Sequence, residues 1–151
     1  MERKINKLLV HLSAFILLPF CGCSNTENII IKEPNNYLDN MSNNFIKWGD
    51  VFSQKIERYL IYVFSYDCYF CNQTKECISK FMKSPNLPLY LVEYSKEIPI
   101  KSEIEKTIGV CSVDKLFIRG TPTLILINNG TVELNVAGKN DVCSTIELFF
   151  N

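Results

Sequence analysis

Residues 59–82 read YLIYVFSYDCYFCNQTKECISKFM, and the reading of this stretch decides the fold. Residues 59–65 are aliphatic and aromatic without polar interruption up to the closing Ser65, the composition of a strand covered on both faces. Cys68-Tyr69-Phe70-Cys71 comes next. Thr74, Cys77, Ile78, Phe81 and Met82 then fall at helical spacing, and Ser84-Pro85-Asn86 ends that helix. A Cys-x-x-Cys pair at a strand-to-helix junction has a chemical use. The start of a helix offers unpaired N–H groups and the positive end of a dipole, which stabilise a thiolate. Two intervening residues let the second sulfur reach the first, so a mixed disulfide is resolved within the chain.

Downstream, residues 87–94 read as a second strand, with Pro88 at its start, where a missing N–H does least harm. A helix is expected over 101–109, with Ile104 and Ile108 inward. Gly120-Thr121-Pro122-Thr123 leads into a strand at 124–127, and Asn129-Gly130 turns it into another at 131–136. Asn140 or Asp141 is placed to cap a last helix holding Ile146, Phe149 and Phe150. Upstream, Leu38, Met41, Phe45, Trp48 and Phe52 predict a helix from Asn36, weakened at Gly49, with Trp48 in the core. Residues 23–36 form an exposed Asn- and Ser-rich spacer in which 29–31 has the makings of a brief strand. The order predicts an α/β domain over 37–151, a central mixed sheet of four to five strands with helices on both faces.

These two halves, the strand–Cys-x-x-Cys–helix unit at 59–82 and Gly120 to Thr123 with Asn129-Gly130 and Gly138, resemble the thioredoxin superfamily. The resemblance covers roughly residues 29–150 and implies a thioredoxin-like fold. It also implies a cis Thr121–Pro122 bond beside the cysteine pair, exposing the Thr121 backbone to an extended substrate segment. Cys68 and Cys71 are then the catalytic pair, and Tyr69, Phe70, Thr121 and Pro122 contact substrate. A lesser resemblance is to bacteriocin-accessory proteins of the same fold. Four positions depart from the thioredoxin pattern. Asp67 stands where Trp is usual, Tyr62 where a buried Asp acts as proton acceptor, Glu76 where Pro kinks the helix, and Tyr69-Phe70 where Gly-Pro lies between the cysteines.

The chain starts with Arg3, Lys4 and Lys7 and an apolar run over 8–20, about 13 residues, which suits an export signal and falls short of a bilayer span. Gly22-Cys23 after that run resembles a bacterial lipobox, with residues 1–22 as the signal peptide and Cys23 as the lipidated residue. Phe20 at a Leu-preferring position is a departure. The domain is thereby expected outside the cytoplasm, anchored to the cell membrane. An uncleaved anchor or an ordinary cleaved signal exports it equally.

Lys+Arg and Asp+Glu are both 16, so no electrostatic case exists for nucleic acid. The single histidine is His11, inside the leader, which excludes a Cys–His catalytic pair and His metal ligands in the domain. Of seven cysteines, the exported part keeps Cys68, Cys71, Cys77, Cys111 and Cys143 beyond the lipid site. No second paired motif completes a zinc site, so neither metal nor cofactor is expected. Cys77, Cys111 and Cys143 read as packing residues, with a structural bridge involving one of them left open. The expected activity is thiol–disulfide exchange on exported proteins, peptides or a partner redox protein. The alternative is a non-catalytic accessory for export of a peptide, using the Thr121–Pro122 groove.

Overall fold

The computed structural model describes residues 42–150, so the leader, Cys23, the spacer and the expected helix start at Asn36 lie outside the described residues. Four strands, β1 Arg58–Phe64, β2 Leu89–Glu93, β3 Thr123–Asn128 and β4 Thr131–Ala137, make one sheet in the order β2-β1-β3-β4. β1 lies parallel to β2, with Leu60 opposite Leu89, and antiparallel to β3, with Ile61 opposite Ile125. A parallel neighbour requires a crossover. α1, Tyr69–Gln73, and α2, Lys75–Lys83, supply it. The final element, α3, is Lys139–Glu147.

Period-two alternation then divides the core. Leu60, Tyr62, Phe64, Leu89, Leu91, Leu124 and Leu126 pack on one face with Ile78 and Phe81 of α2 and Val142 and Ile146 of α3. Tyr59, Ile61, Val63, Ile125 and Ile127 pack on the other with Val51, Ile98, Leu116 and Ile118. Every residue of β1 after Arg58 is therefore buried, as its uninterrupted apolar run requires. Asn129 and Gly130 both take positive φ, 48° and 74°, in the β3–β4 turn. The register then shifts: Leu126 faces Leu134 but Ile127 faces Val132, so Glu133 is an extra residue. The bulge reverses the alternation of β4 and lets Val132 join one core while Leu134 and Val136 border the other. This mixed sheet, with the Thr121–Pro122 bond cis at the start of β3, is the expected thioredoxin-like arrangement.

The helices differ in distribution. α2 and α3 cover one face, whereas the other is covered by loops and the 3-10 turns Trp48–Asp50, Ile104–Thr107 and Val113–Lys115. Within the described part of the expected first helix, Phe45 instead bridges to Leu91, and Ile46 N–H donates to Leu91 O at 2.9 Å. The open edge of β2 competes for this backbone and wins. Val51, outside the predicted stripe, is fully buried, while Trp48 lies at the margin of the core. The helix expected over 101–109 shrinks to one 3-10 turn, whose spacing of three buries Ile104 and Thr107 together and leaves Ile108 51% exposed. Neither Asn140 nor Asp141 caps α3, which starts earlier, after Gly138 at φ 96°.

Cys77 and Cys143 are not merely packing residues. They form a disulfide, with Cα atoms 5.7 Å apart, that ties α2 to α3. Cys111 is free and exposed.

Candidate functional site

β1 ends at Phe64, and a turn closed by Cys68 N–H to Ser65 O (3.1 Å) delivers Cys68 to the start of α1. Cys68 is the N-cap residue there, in extended conformation, and its sulfur accepts the Cys71 N–H at 3.1 Å. Its thiol is directed at Thr121 O, 3.2 Å away and 53 positions later in the chain. The antiparallel pairing of β1 with β3, Val63 opposite Thr123, brings that loop to the cysteines. The loop is itself held: Thr123 Oγ1 donates to Gly120 O (2.6 Å), and Gly138 N–H to Pro122 O (2.8 Å). Cys68, Cys71, Thr121 and Pro122 thus come together. Cys68 is half-buried, Cys71 is 1% exposed, and Pro122 is buried.

Burial pushes the Cys71 thiol up to about 12, with its hydrogen bond to Cys68 adding to the rise. Hydrogen bonds from the Ser65 backbone and the Thr121 hydroxyl act the other way. The second thiol therefore keeps its proton at neutral pH. The folded value lies above that of an unfolded thiol, so between about 9 and 12 the folded state binds more protons than the unfolded one. Stability of the reduced protein is expected to be fully present below pH 9 and to fall as pH rises from there. The urea midpoint should decline between about pH 9 and 11 more steeply in wild type than in Cys71→Ser. Parallel declines would remove Cys71 as the cause.

Tyr69 and Phe70 are 64% and 55% exposed and meet edge-on, with ring centroids 5.4 Å apart. Phe70 and Gln73 line a cavity of about 420 Å³ together with Ala137 to Asp141, beside the residues that anchor Pro122. A larger cavity, about 1020 Å³, lies between residues 45–54 and 93–97 and is lined by none of the predicted site residues.

The departures from the thioredoxin pattern have distinct outcomes. Asp67 and Glu76 are exposed. Tyr62 is fully buried, stacked on Phe64, and its hydroxyl lies 2.6 Å from Thr74 Oγ1. Thr74 in turn donates its hydroxyl to Cys71 O at 2.8 Å, and its N–H to the same oxygen at 3.2 Å. The helix breaks between α1 and α2 at Thr74, with no proline. A hydroxyl bonding back onto its own helix commonly bends it. In the sequence Thr74 reads as one more helix position. Its only signal was a β-branched hydroxyl residue three places after Cys71.

No family model and no curated protein matches this chain. Among solved structures it is similar to the Schistosoma mansoni thioredoxin pre-protein, at 20% identity over 70% of this chain and 96% of that one, TM-score 0.46. It is also similar to thioredoxin from Aeropyrum pernix, at 17% identity over 68% and 81%, TM-score 0.47. Mitochondrial thioredoxin 3 from Saccharomyces cerevisiae gives 13% identity over 72% and 92%, TM-score 0.46.

Proposed function

We propose that this chain is a thiol–disulfide oxidoreductase acting on exported proteins, on peptides or on a partner redox protein. The observation that carries the reading is the placement of Cys68. Its sulfur is half-buried between the Cys71 amide and Thr121 O, and a protonated, buried Cys71 lies behind it. Cys68 as a thiolate attacks a substrate disulfide, forming Cys68–S–S–substrate and expelling a substrate thiolate. Cys71 loses its proton and attacks the Cys68 sulfur, expelling the second substrate thiolate and leaving a Cys68–Cys71 disulfide. The two thiol protons of the enzyme end on the two substrate thiolates. The run is reversible, so the same pair donates a disulfide when it starts oxidised. In this reading the Thr121 backbone beside the cis Pro122 pairs with an extended substrate, and the exposed Tyr69 and Phe70 make further contacts with it.

The chain is further proposed to act outside the cytoplasm, anchored through a lipid on Cys23. The Cys77–Cys143 disulfide supports such a compartment, because structural disulfides persist where the surroundings oxidise. Labelled fatty acid is expected in wild type and absent from Cys23→Ser. Equal labelling of the two would discard the anchor.

The second reading, a non-catalytic accessory for peptide export, draws on the exposed aromatic pair and the cavity beside Phe70, which bind without turnover. Replacing both Cys68 and Cys71 by Ser separates the two. The oxidoreductase loses all reduction of a peptide disulfide. A variant that keeps its cellular phenotype speaks for the accessory.

A further inference from the structure

We infer that Tyr62 and Thr74 form a positioning pair that sets where Cys71 stands when it attacks the mixed disulfide on Cys68. This rests on the proposal that Cys71 is the resolving thiol.

Proton accounting gives the pair a direction. The Thr74 hydroxyl has a single proton, and that proton goes to Cys71 O, which can only accept. In the 2.6 Å contact the phenol of Tyr62 is therefore the donor. The chain of bonds runs from the central strand, through Tyr62 and Thr74, to the carbonyl of the residue that carries the second sulfur. Its origin is rigid, since Tyr62 is fully buried, stacked on Phe64 at an interplanar angle of 4°, and flanked by Leu91 and Leu124 on the neighbouring strands. Its far end is not rigid by itself. α1 has five residues, too few for a helix to hold its own shape in water.

A phenylalanine at 62 would fill an apolar core with no polar group to satisfy. Tyr62 instead belongs to the buried cluster of Leu60, Phe64, Ile78 and Phe81, and Thr74 is fully buried too, so each polar atom needs its partner. Its effect is local to the joint between α1 and α2. With the phenolic proton gone, the Thr74 oxygen loses its donor, and the break at Thr74 is free to relax toward a straight helix. That relaxation acts first on Cys71, whose carbonyl the joint holds. Besides the Cys71 N–H that its sulfur accepts, Cys68 is held independently of the joint, by its own N–H to Ser65 O and by its approach to Thr121 O. The two chemical steps should therefore separate: attack by Cys68 is nearly unaffected, and resolution by Cys71 is slowed. A misplacement of about 1 Å costs up to roughly a hundredfold in rate, and a partial shift at the joint should cost about tenfold.

The test uses the reduced full chain and glutathione disulfide as the oxidant. Samples are quenched in acid at successive times, and mass spectrometry of the peptide holding residues 68–71 distinguishes free thiols, the Cys68–glutathione mixed disulfide and the Cys68–Cys71 disulfide. Following this peptide alone keeps the remaining cysteines out of the measurement. Tyr62→Phe and Thr74→Val are expected to form the mixed disulfide within twofold of the wild-type rate and to resolve it about tenfold more slowly. Thr74→Ser, which restores the hydroxyl, should resolve it near the wild-type rate. If Tyr62→Phe fails to fold, the Thr74 pair of variants decides alone. Unchanged resolution in Thr74→Val, or equal slowing of both steps, overturns the inference while leaving the resolving role of Cys71 intact. A wild-type protein that stops at the mixed disulfide overturns that role and this inference with it.

Discussion

Cys71→Ser is expected to hold its targets as mixed disulfides, and Cys68→Ser to hold none. Asymmetric burial underlies this expectation: the half-buried Cys68 is open to a substrate, and the 1% exposed Cys71 is not. Once a substrate sulfur is joined to Cys68, the nearest thiol in wild type belongs to the same short helix start. Intramolecular attack in good geometry has effective molarities of about 10⁵ M or more, against millimolar external thiols. Removing Cys71 should therefore lengthen the life of the mixed disulfide by on the order of a thousandfold or more. Non-reducing electrophoresis after an acid quench shows the adducts, and reduction releases the partners for identification. Adducts that form through Cys71 in Cys68→Ser would reverse the assignment of the two sulfurs. Absence of adducts from both variants would turn the reading toward the accessory protein.

The double variant Cys77→Ala/Cys143→Ala should lose about 4 kcal/mol of stability, the loop entropy expected for a bridge spanning 66 positions. A domain of this size has roughly 5–15 kcal/mol in total. The loss would lower Tm by on the order of 15 °C or more. The bridge contributes beyond loop closure, because it joins α2 and α3, the two helices that cover one face of the sheet. Thermal unfolding of the double variant against wild type, both without reductant, gives the difference directly. A shift under about 3 °C would mean that packing alone holds the helices together. The measurement is independent of the active pair, since Cys68 and Cys71 are unchanged.

The sequence exposed what is local. An uninterrupted apolar run of six residues, rich in β-branched and aromatic side chains, reads as a covered strand, and β1 is one. Asn129-Gly130 specifies a turn of positive φ, and the β3–β4 hairpin results from it. Cys68 and Thr121 were paired only through the family likeness, because nothing within either segment encodes a contact across 53 positions. The hidden features were decided by competition between distant segments. Phe45 has helical spacing to Trp48, yet the unpaired edge of β2 draws its backbone into a bridge. Ile108 looked inward on a helix of 3.6 residues per turn and faces out on a turn of three. Cys77 and Cys143 each sit among apolar neighbours, as packing residues do. Their bond requires knowing that α2 and α3 lie side by side. Thr74 was hidden for a similar reason, since its partner Tyr62 stands on another element.

The margins of the sheet have a consequence for how the protein behaves at high concentration. A bare outer strand is a template on which another copy can add. Here the outer side of β2 is occupied by Asn44 Nδ2 on Leu89 O and by Ile46 N–H on Leu91 O. The outer side of β4 is met by Gly109 N–H on Val132 O and by Val132 N–H on Val110 O, and the extra residue Glu133 bends the remainder of that strand. Both rims are thus blunted by the chain's own loops. A stray unfolded segment finds little to copy there, and head-to-head polymerisation through the margins is disfavoured. Under the proposed function a foreign chain settles instead on the backbone beside Cys68, where it meets a sulfur rather than another strand.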